Sequence, residues 1–133
     1  GPPRELYLRP ADRWVAGFVG DVNFVAATVA DGVATTALGR LQVEETARGV
    51  GDVVVRPEDL VVSDGAAEAA EATVAAVVVS EEYQGAATVL EVRLGDGVLL
   101  KAAVRGDARF TSGAVVGVRR RSDAGPAVFL PGP

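Results

Sequence analysis

The sequence predicts an all-β fold, a small barrel of short antiparallel strands, with a short helical segment at its N-terminus. Three observations carry this prediction. From Asp21 onward, Val-rich runs alternate with breaks at Gly and Asp, the rhythm of strands joined by tight turns. Valine supplies 25 of the 133 residues, and its branched side chain suits a pleated, half-buried surface better than a helix. Two turn signals, Asp31-Gly32 and Gly95-Asp96-Gly97, each lie between apolar runs.

The first twenty residues differ in kind. Pro3-Arg4-Glu5-Leu6-Tyr7 suits a helical turn, and Pro10 opens a second one in which Ala11, Trp14, Val15 and Phe18 share a face through spacings of three and four; Gly20 ends it. A two-turn helix is marginal alone, so Trp14 and Phe18 need a surface to pack on. Strands are expected at 23–30, 33–43, 51–55, 60–63, 73–80, 87–94, 98–104, 114–121 and 127–130. Gly49-Val50-Gly51 reads as a turn, and the acidic run 66–72 as a loop or short exposed helix.

Two hairpins can be taken to their register. A two-residue loop at Asp31-Gly32 sets Thr28 against Thr35. At the other hairpin, a two-residue turn at Asp96-Gly97 would mix Leu100 with Glu91 and Arg93 on one face. A three-residue loop with Gly97 left-handed pairs Leu94 with Val98, Val92 with Leu100 and Leu90 with Ala102, which separates core from solvent. Glu91 then falls opposite Lys101, an expected cross-strand ion pair.

Absent residues exclude much chemistry. With no Cys there is no disulfide, thiolate nucleophile or zinc knuckle, and with no His the usual base at neutral pH and imidazole-ligated metals are gone. The single lysine, Lys101, lacks the glycine pattern of a phosphate-binding loop, so this chain is not expected to be an enzyme. A net charge of −5 opposes nucleic acid and anionic lipid as partners, and no apolar stretch is long enough to insert in a membrane. Lacking Met and beginning Gly1-Pro2, the chain reads as an excised fragment with a cleavage scar at residues 1–2.

The remaining candidates are mostly structural. Arg56-Pro57-Glu58-Asp59-Leu60 reads as a charged corner: Arg56 extended before proline, Pro57 at the first position of a helical turn, Glu58 and Asp59 near its free N–H groups. Glu81 and Glu82 are placed in a loop as a solvated pair, with Tyr83 as a half-buried anchor whose ring is inside and hydroxyl wet. Arg119-Arg120-Arg121 reads as an exposed strand end kept soluble by charge. No catalytic, cofactor or metal residue is assigned. The candidate structural or interface residues are Trp14, Phe18, Phe24, Arg56, Glu58, Asp59, Tyr83 and Phe129.

Together these segments carry a resemblance. Pro3 to Tyr7 followed by Pro10 to Gly20 is similar to the last helices of the ATPase domain in an ABC importer's ATP-binding subunit. Asn23-Phe24, Val55 to Leu60, Tyr83-Gln84-Gly85, Asp96-Gly97 and Val128-Phe129-Leu130 resemble the transport-associated OB, or TOBE, domain that follows it, most closely in ferric-iron and polyamine importers. The resemblance implies that residues 1–20 are the tail of the ATPase domain and a linker, and that residues 21–133 form an OB-like regulatory barrel. It implies a homodimer, a permease partner, a place on the cytoplasmic face of the bacterial membrane, and ATP with Mg in the parent but no cofactor in this fragment. Two other functions are weighed. One is an oxyanion or solute sensor using backbone N–H groups at Gly-rich turns with Arg56 or Arg105. The other is an oligonucleotide-binding barrel, disfavoured by the negative charge and few aromatics.

Overall fold

A computed structural model describes residues 22–64, 73–85, 87–105 and 110–132. The N-terminal segment with Trp14 and Phe18 and the acidic run 66–72 lie outside the described residues. Among the described residues ten strands follow in order: β1 (Asn23–Ala30), β2 (Val33–Thr36), β3 (Gly39–Gln42), β4 (Gly49–Val55), β5 (Leu60–Asp64), β6 (Val74–Gln84), β7 (Ala87–Leu94), β8 (Leu99–Arg105), β9 (Val115–Arg120) and β10 (Val128–Pro131). A 3-10 turn, Pro57–Asp59, separates β4 from β5. Among the described residues, no helix is long and apolar enough to cross a membrane.

The strands form two antiparallel sheets of five, ordered β10-β4-β1-β2-β3 and β5-β9-β6-β7-β8. Both orders repeat one pattern. A three-strand meander is joined by a fourth strand beside its first, and a fifth lies beside the fourth. The fifth strands are exchanged, so each half of the chain lends its last strand to the other half's sheet. A parallel bridge between Val43 and Ala127, with the Ala127 N–H donating to the Gln42 carbonyl at 2.7 Å, joins the end of β3 to the start of β10. It closes the first sheet on itself, which removes two free edges.

Alternation builds the core. In β1, Asn23, Val25, Ala27 and Val29 point inward while Phe24, Ala26, Thr28 and Ala30 face outward. One continuous apolar cluster joins both sheets, with Val25, Val53 and Val55 from the first and Leu90, Val92, Leu100, Val116 and Val118 from the second. Small side chains make each contribution modest, about 1.5–3 kcal/mol for a fully buried valine or leucine. Thr88 is buried with its hydroxyl unpartnered. A Thr88→Val variant is therefore expected to be more stable by about 1 kcal/mol in urea unfolding, since a methyl replaces a desolvated group that forms no bond. A loss of stability would mean the hydroxyl has a partner.

Both hairpin registers are as expected. Thr28 pairs with Thr35, with Asp31 and Gly32 at φ of 54° and 76°, the two positive values that a type I′ turn requires. Leu90 pairs with Ala102 and Val92 with Leu100, while the Leu94 N–H donates to the Val98 carbonyl and Gly97 is left-handed at φ 94°. Glu91 does lie opposite Lys101, but the side chains do not close into an ion pair.

Three expectations are corrected. The run 33–43 is two strands, because Leu38 is buried at a turn in which the Thr36 hydroxyl accepts from the Leu38 N–H and donates to the Gly39 carbonyl, both at 2.9 Å. Gly49-Val50-Gly51 is the start of β4, not a turn, and pairs with Val29, Thr28 and Ala27. Glu81, Glu82 and Tyr83 extend β6 instead of forming a loop, and pair with Leu90, Val89 and Thr88. A bulge between Val78 and Ser80 lets β6 run that far while staying paired with β7.

Candidate functional site

Two polar constructions lie where the sheets meet. The first is an amide clamp. The Asn23 side chain, buried at the start of β1, donates to the carbonyls of Val55 at 3.1 Å and Lys101 at 2.9 Å, and accepts from the Lys101 N–H at 2.8 Å. Its amide thus pairs with the Lys101 backbone as a neighbouring strand would. Lys101 lies on β8, the outer strand of the second sheet, and its N–H and C=O point away from β7. A side chain of the first sheet covers an exposed edge of the second.

The second construction is a cleft of about 470 Å³ lined by Arg40, Leu41 and Gln42 of β3, by Arg119 to Ser122 at the end of β9, and by Gly125 and Pro126. It forms where the chain crosses from the second sheet to the first. Alternation along β9 places Arg120 on the face of Val116 and Val118, which is the core face. Its side chain is only 10% exposed. One terminal nitrogen donates to the Gly125 carbonyl at 2.6 Å, the other approaches Asp59 at 3.9 Å, and Nε is buried without a partner. Arg121 makes a two-pronged pair with Asp123 at 3.0 and 2.9 Å. Hydrogen bonding to the guanidinium holds the Asp123 carboxyl below its ordinary range and raises Arg121. Among the described residues, Arg40 and Arg119 close no ion pair, although Arg119 lies near enough to Asp123 to help hold its carboxyl down, and no carboxylate lines the cleft.

The expected site residues are scattered. Arg56 is extended and caps the 3-10 turn, as its position before Pro57 requires, and Glu58 is exposed beside it. Asp59 is half-buried, its carbonyl accepting from the Arg121 N–H at 2.7 Å and its carboxylate facing Arg120. Phe24 lies on the outer face of β1, and Phe129 is buried in the core. Tyr83 is 66% exposed, which corrects the half-buried anchor: the β6 extension carries it out beyond the core. Neither Arg56 nor Arg105 lines the arginine cleft. The triple arginine is not simply a solvated strand end, because Arg120 turns inward. Asn23 and Arg120 were missed as functional groups, although each shares the parity of buried apolar neighbours on its strand, a signal present in the sequence.

A family model described as the TOBE domain matches residues 53–127. The chain belongs to the TOBE domain family. Similar proteins include the Fe(3+) ions import ATP-binding protein FbpC of Mesorhizobium japonicum, 34% identical over 98 residues, covering 71% of this chain and 27% of that protein. FbpC 3 of Rhodococcus jostii is 38% identical over 126 residues, covering 90% of this chain and 35% of that protein. The sn-glycerol-3-phosphate import ATP-binding protein UgpC of Ruegeria pomeroyi is 46% identical over 68 residues, covering 49% of this chain and 19% of that protein. This TOBE domain therefore spans about a third or less of the length of those relatives. Its fold is similar to that of the cytoplasmic molybdate-binding protein ModG, solved with molybdate bound, at a TM-score of 0.65 and 14% identity, covering 82% of this chain and 95% of ModG. That likeness supports the OB-like architecture of the TOBE domain.

Proposed function

We propose that this TOBE domain is the C-terminal regulatory and dimerisation module of the ATP-binding subunit of an ABC importer for iron(III) or a related solute, and that it acts through protein contacts, not catalysis. One observation carries the reading: a relative named for Fe(3+) import aligns with 90% of the chain. In this reading residues 1–20 end the ATPase domain, the parent binds ATP and Mg, and permease subunits hold it at the cytoplasmic face of the membrane. Lacking Cys and His, the chain has few groups for catalysis. Its exposed apolar residues, Val50 at 71%, Leu99 at 52% and Val115 at 51%, offer contact surface instead. The coding sequence upstream of Pro3 is expected to encode a nucleotide-binding domain; a native start at this point would overturn the reading. Sedimentation at high micromolar concentration is expected to give a dimer that Val50→Asp or Leu99→Asp weakens. A monomer mass for the unaltered chain removes the dimerisation role.

A second reading, a sensor for an oxyanion or for the transported solute, is favoured by the arginine cleft.

A further inference from the structure

We propose that the open edge of β6 from Ser80 to Gln84 takes up, as an added strand, an extended segment of a partner protein in which basic and apolar residues alternate. The inference deepens the reading that the domain acts through protein contacts, and rests on it, by naming one surface and the chemistry that fits it.

The backbone opens the edge. Only the first part of β6 is paired on both sides. Val74 to Val77 pair with β9. Just beyond, the Val78 N–H donates to the Ala114 carbonyl at 2.9 Å, its carbonyl accepts from the Gly113 N–H at 2.7 Å, and the Val79 carbonyl accepts from the Ser112 hydroxyl at 3.2 Å. From Ser80 onward, among the described residues, β6 pairs with β7 alone. In an antiparallel ladder, alternate residues turn their backbone groups to opposite neighbours. The Leu94 N–H donates to the Val98 carbonyl, so Leu90 and Thr88 turn theirs toward β8, while Glu91, Val89 and Ala87 turn theirs toward Ser80, Glu82 and Gln84. The N–H and C=O of Glu81 and Tyr83 therefore point away from β7, and no described residue bonds them. The five residues from Ser80 to Gln84 offer about 16 Å of edge at roughly 3.3 Å each.

The side chains choose the occupant. Ser80 to Glu91 carries Glu81, Glu82 and Glu91 and no cation, so two such edges repel one another. The same charge that turns away a second copy attracts a basic strand. The two faces of the edge differ. Glu82 and Gln84 share the outer face, where the Gln84 amide donates to the Glu82 carboxylate at 3.4 Å. Tyr83 and Glu81 share the other, with Tyr83 66% exposed and the Glu81 carboxylate accepting from the Phe110 N–H at 3.2 Å. An added strand meets a carboxylate on one side and an aromatic ring on the other. Basic residues fit the first and apolar residues the second, and the two-residue period of a strand delivers both.

The test is titration of the 133-residue chain with a blocked hexapeptide of alternating lysine and valine, followed by calorimetry and amide ¹H–¹⁵N resonances. Saturable binding is expected to move the Glu81 and Tyr83 resonances and to slow exchange of their amide protons. Tyr83→Val loses the ring and keeps the outward N–H, whereas Tyr83→Pro loses both without taking a bond from β7. The first is expected to weaken binding by about threefold and the second by about tenfold or more. Glu82→Gln, which leaves the backbone intact, is expected to weaken it by about threefold. The same peptide with every backbone nitrogen methylated is expected not to bind. Equal binding of the methylated peptide, or equal weakening by the two Tyr83 variants, overturns strand addition; unchanged binding to Glu82→Gln overturns the charge match. Absence of saturable binding overturns the whole proposal. So does protection of the Glu81 and Tyr83 amides that rises with protein concentration without peptide, since a second copy is then the occupant. The coding sequence upstream of Pro3 tests the importer reading independently of this edge.

Discussion

An Asn23→Ala variant is expected to lose about 3 kcal/mol of stability in urea unfolding, among the largest effects of any single substitution outside the apolar core. The reason is what the truncation leaves behind. The Lys101 N–H and C=O and the Val55 carbonyl each lose a bond to the side-chain amide. Asn23 itself is buried, so water does not readily replace it. Asn23→Asp separates this account from loss of packing alone. The introduced carboxylate keeps an acceptor for the Lys101 N–H but turns a second oxygen toward two carbonyls, so its neutral form is favoured and its folded pKa is raised. Stability of that variant should then be highest at low pH and fall as pH rises through the raised pKa. A pH-independent loss equal to that of Asn23→Ala would show that the amide's donor side contributes nothing.

A Gly51→Ala variant is expected to lose a similar amount, about 3 kcal/mol, and to detach β10 first. A Cβ at this position would collide with the Leu130 carbonyl oxygen and lie 2.8 Å from the Gly132 nitrogen and 2.9 Å from the Pro131 Cα. All three are backbone atoms, which cannot swing aside as a flexible side chain can. Amide exchange should therefore rise first at Gly132, whose N–H donates to the Val50 carbonyl at 2.8 Å, and along β10. Gly95→Ala is the matched control, since a Cβ there meets nothing within 4 Å and φ is not positive. Equal losses for the two variants would refute the close-approach argument and leave only glycine's general effect on the unfolded chain.

How far the sequence could be read depended on distance along the chain. The Gly97 bulge, the Asp31-Gly32 turn and the corner at Pro57 were legible because a few adjacent residues fix each one. The split of the run 33–43 was less visible, since it depends on a Thr36 hydroxyl satisfying the turn while Leu38 fills the core. The clamp and the cleft were not legible as sites. Asn23 meets Lys101, and Arg40 meets Arg119 and Arg120, only through contacts between distant segments.

By itself the sequence determined an all-β chain, most of its strands and the registers of two hairpins, because alternating burial and turn chemistry act between near neighbours. Only the tertiary structure decided that β5 and β10 are exchanged between the sheets. The strands share the same Val-rich alternation and present the same backbone donors and acceptors at their edges, so nothing local tells a fifth strand which sheet to join. That choice rests on long-range fit: Gly51 lets β10 approach β4, the Val43–Ala127 bridge closes the first sheet, and Arg120 is carried inward at the crossover.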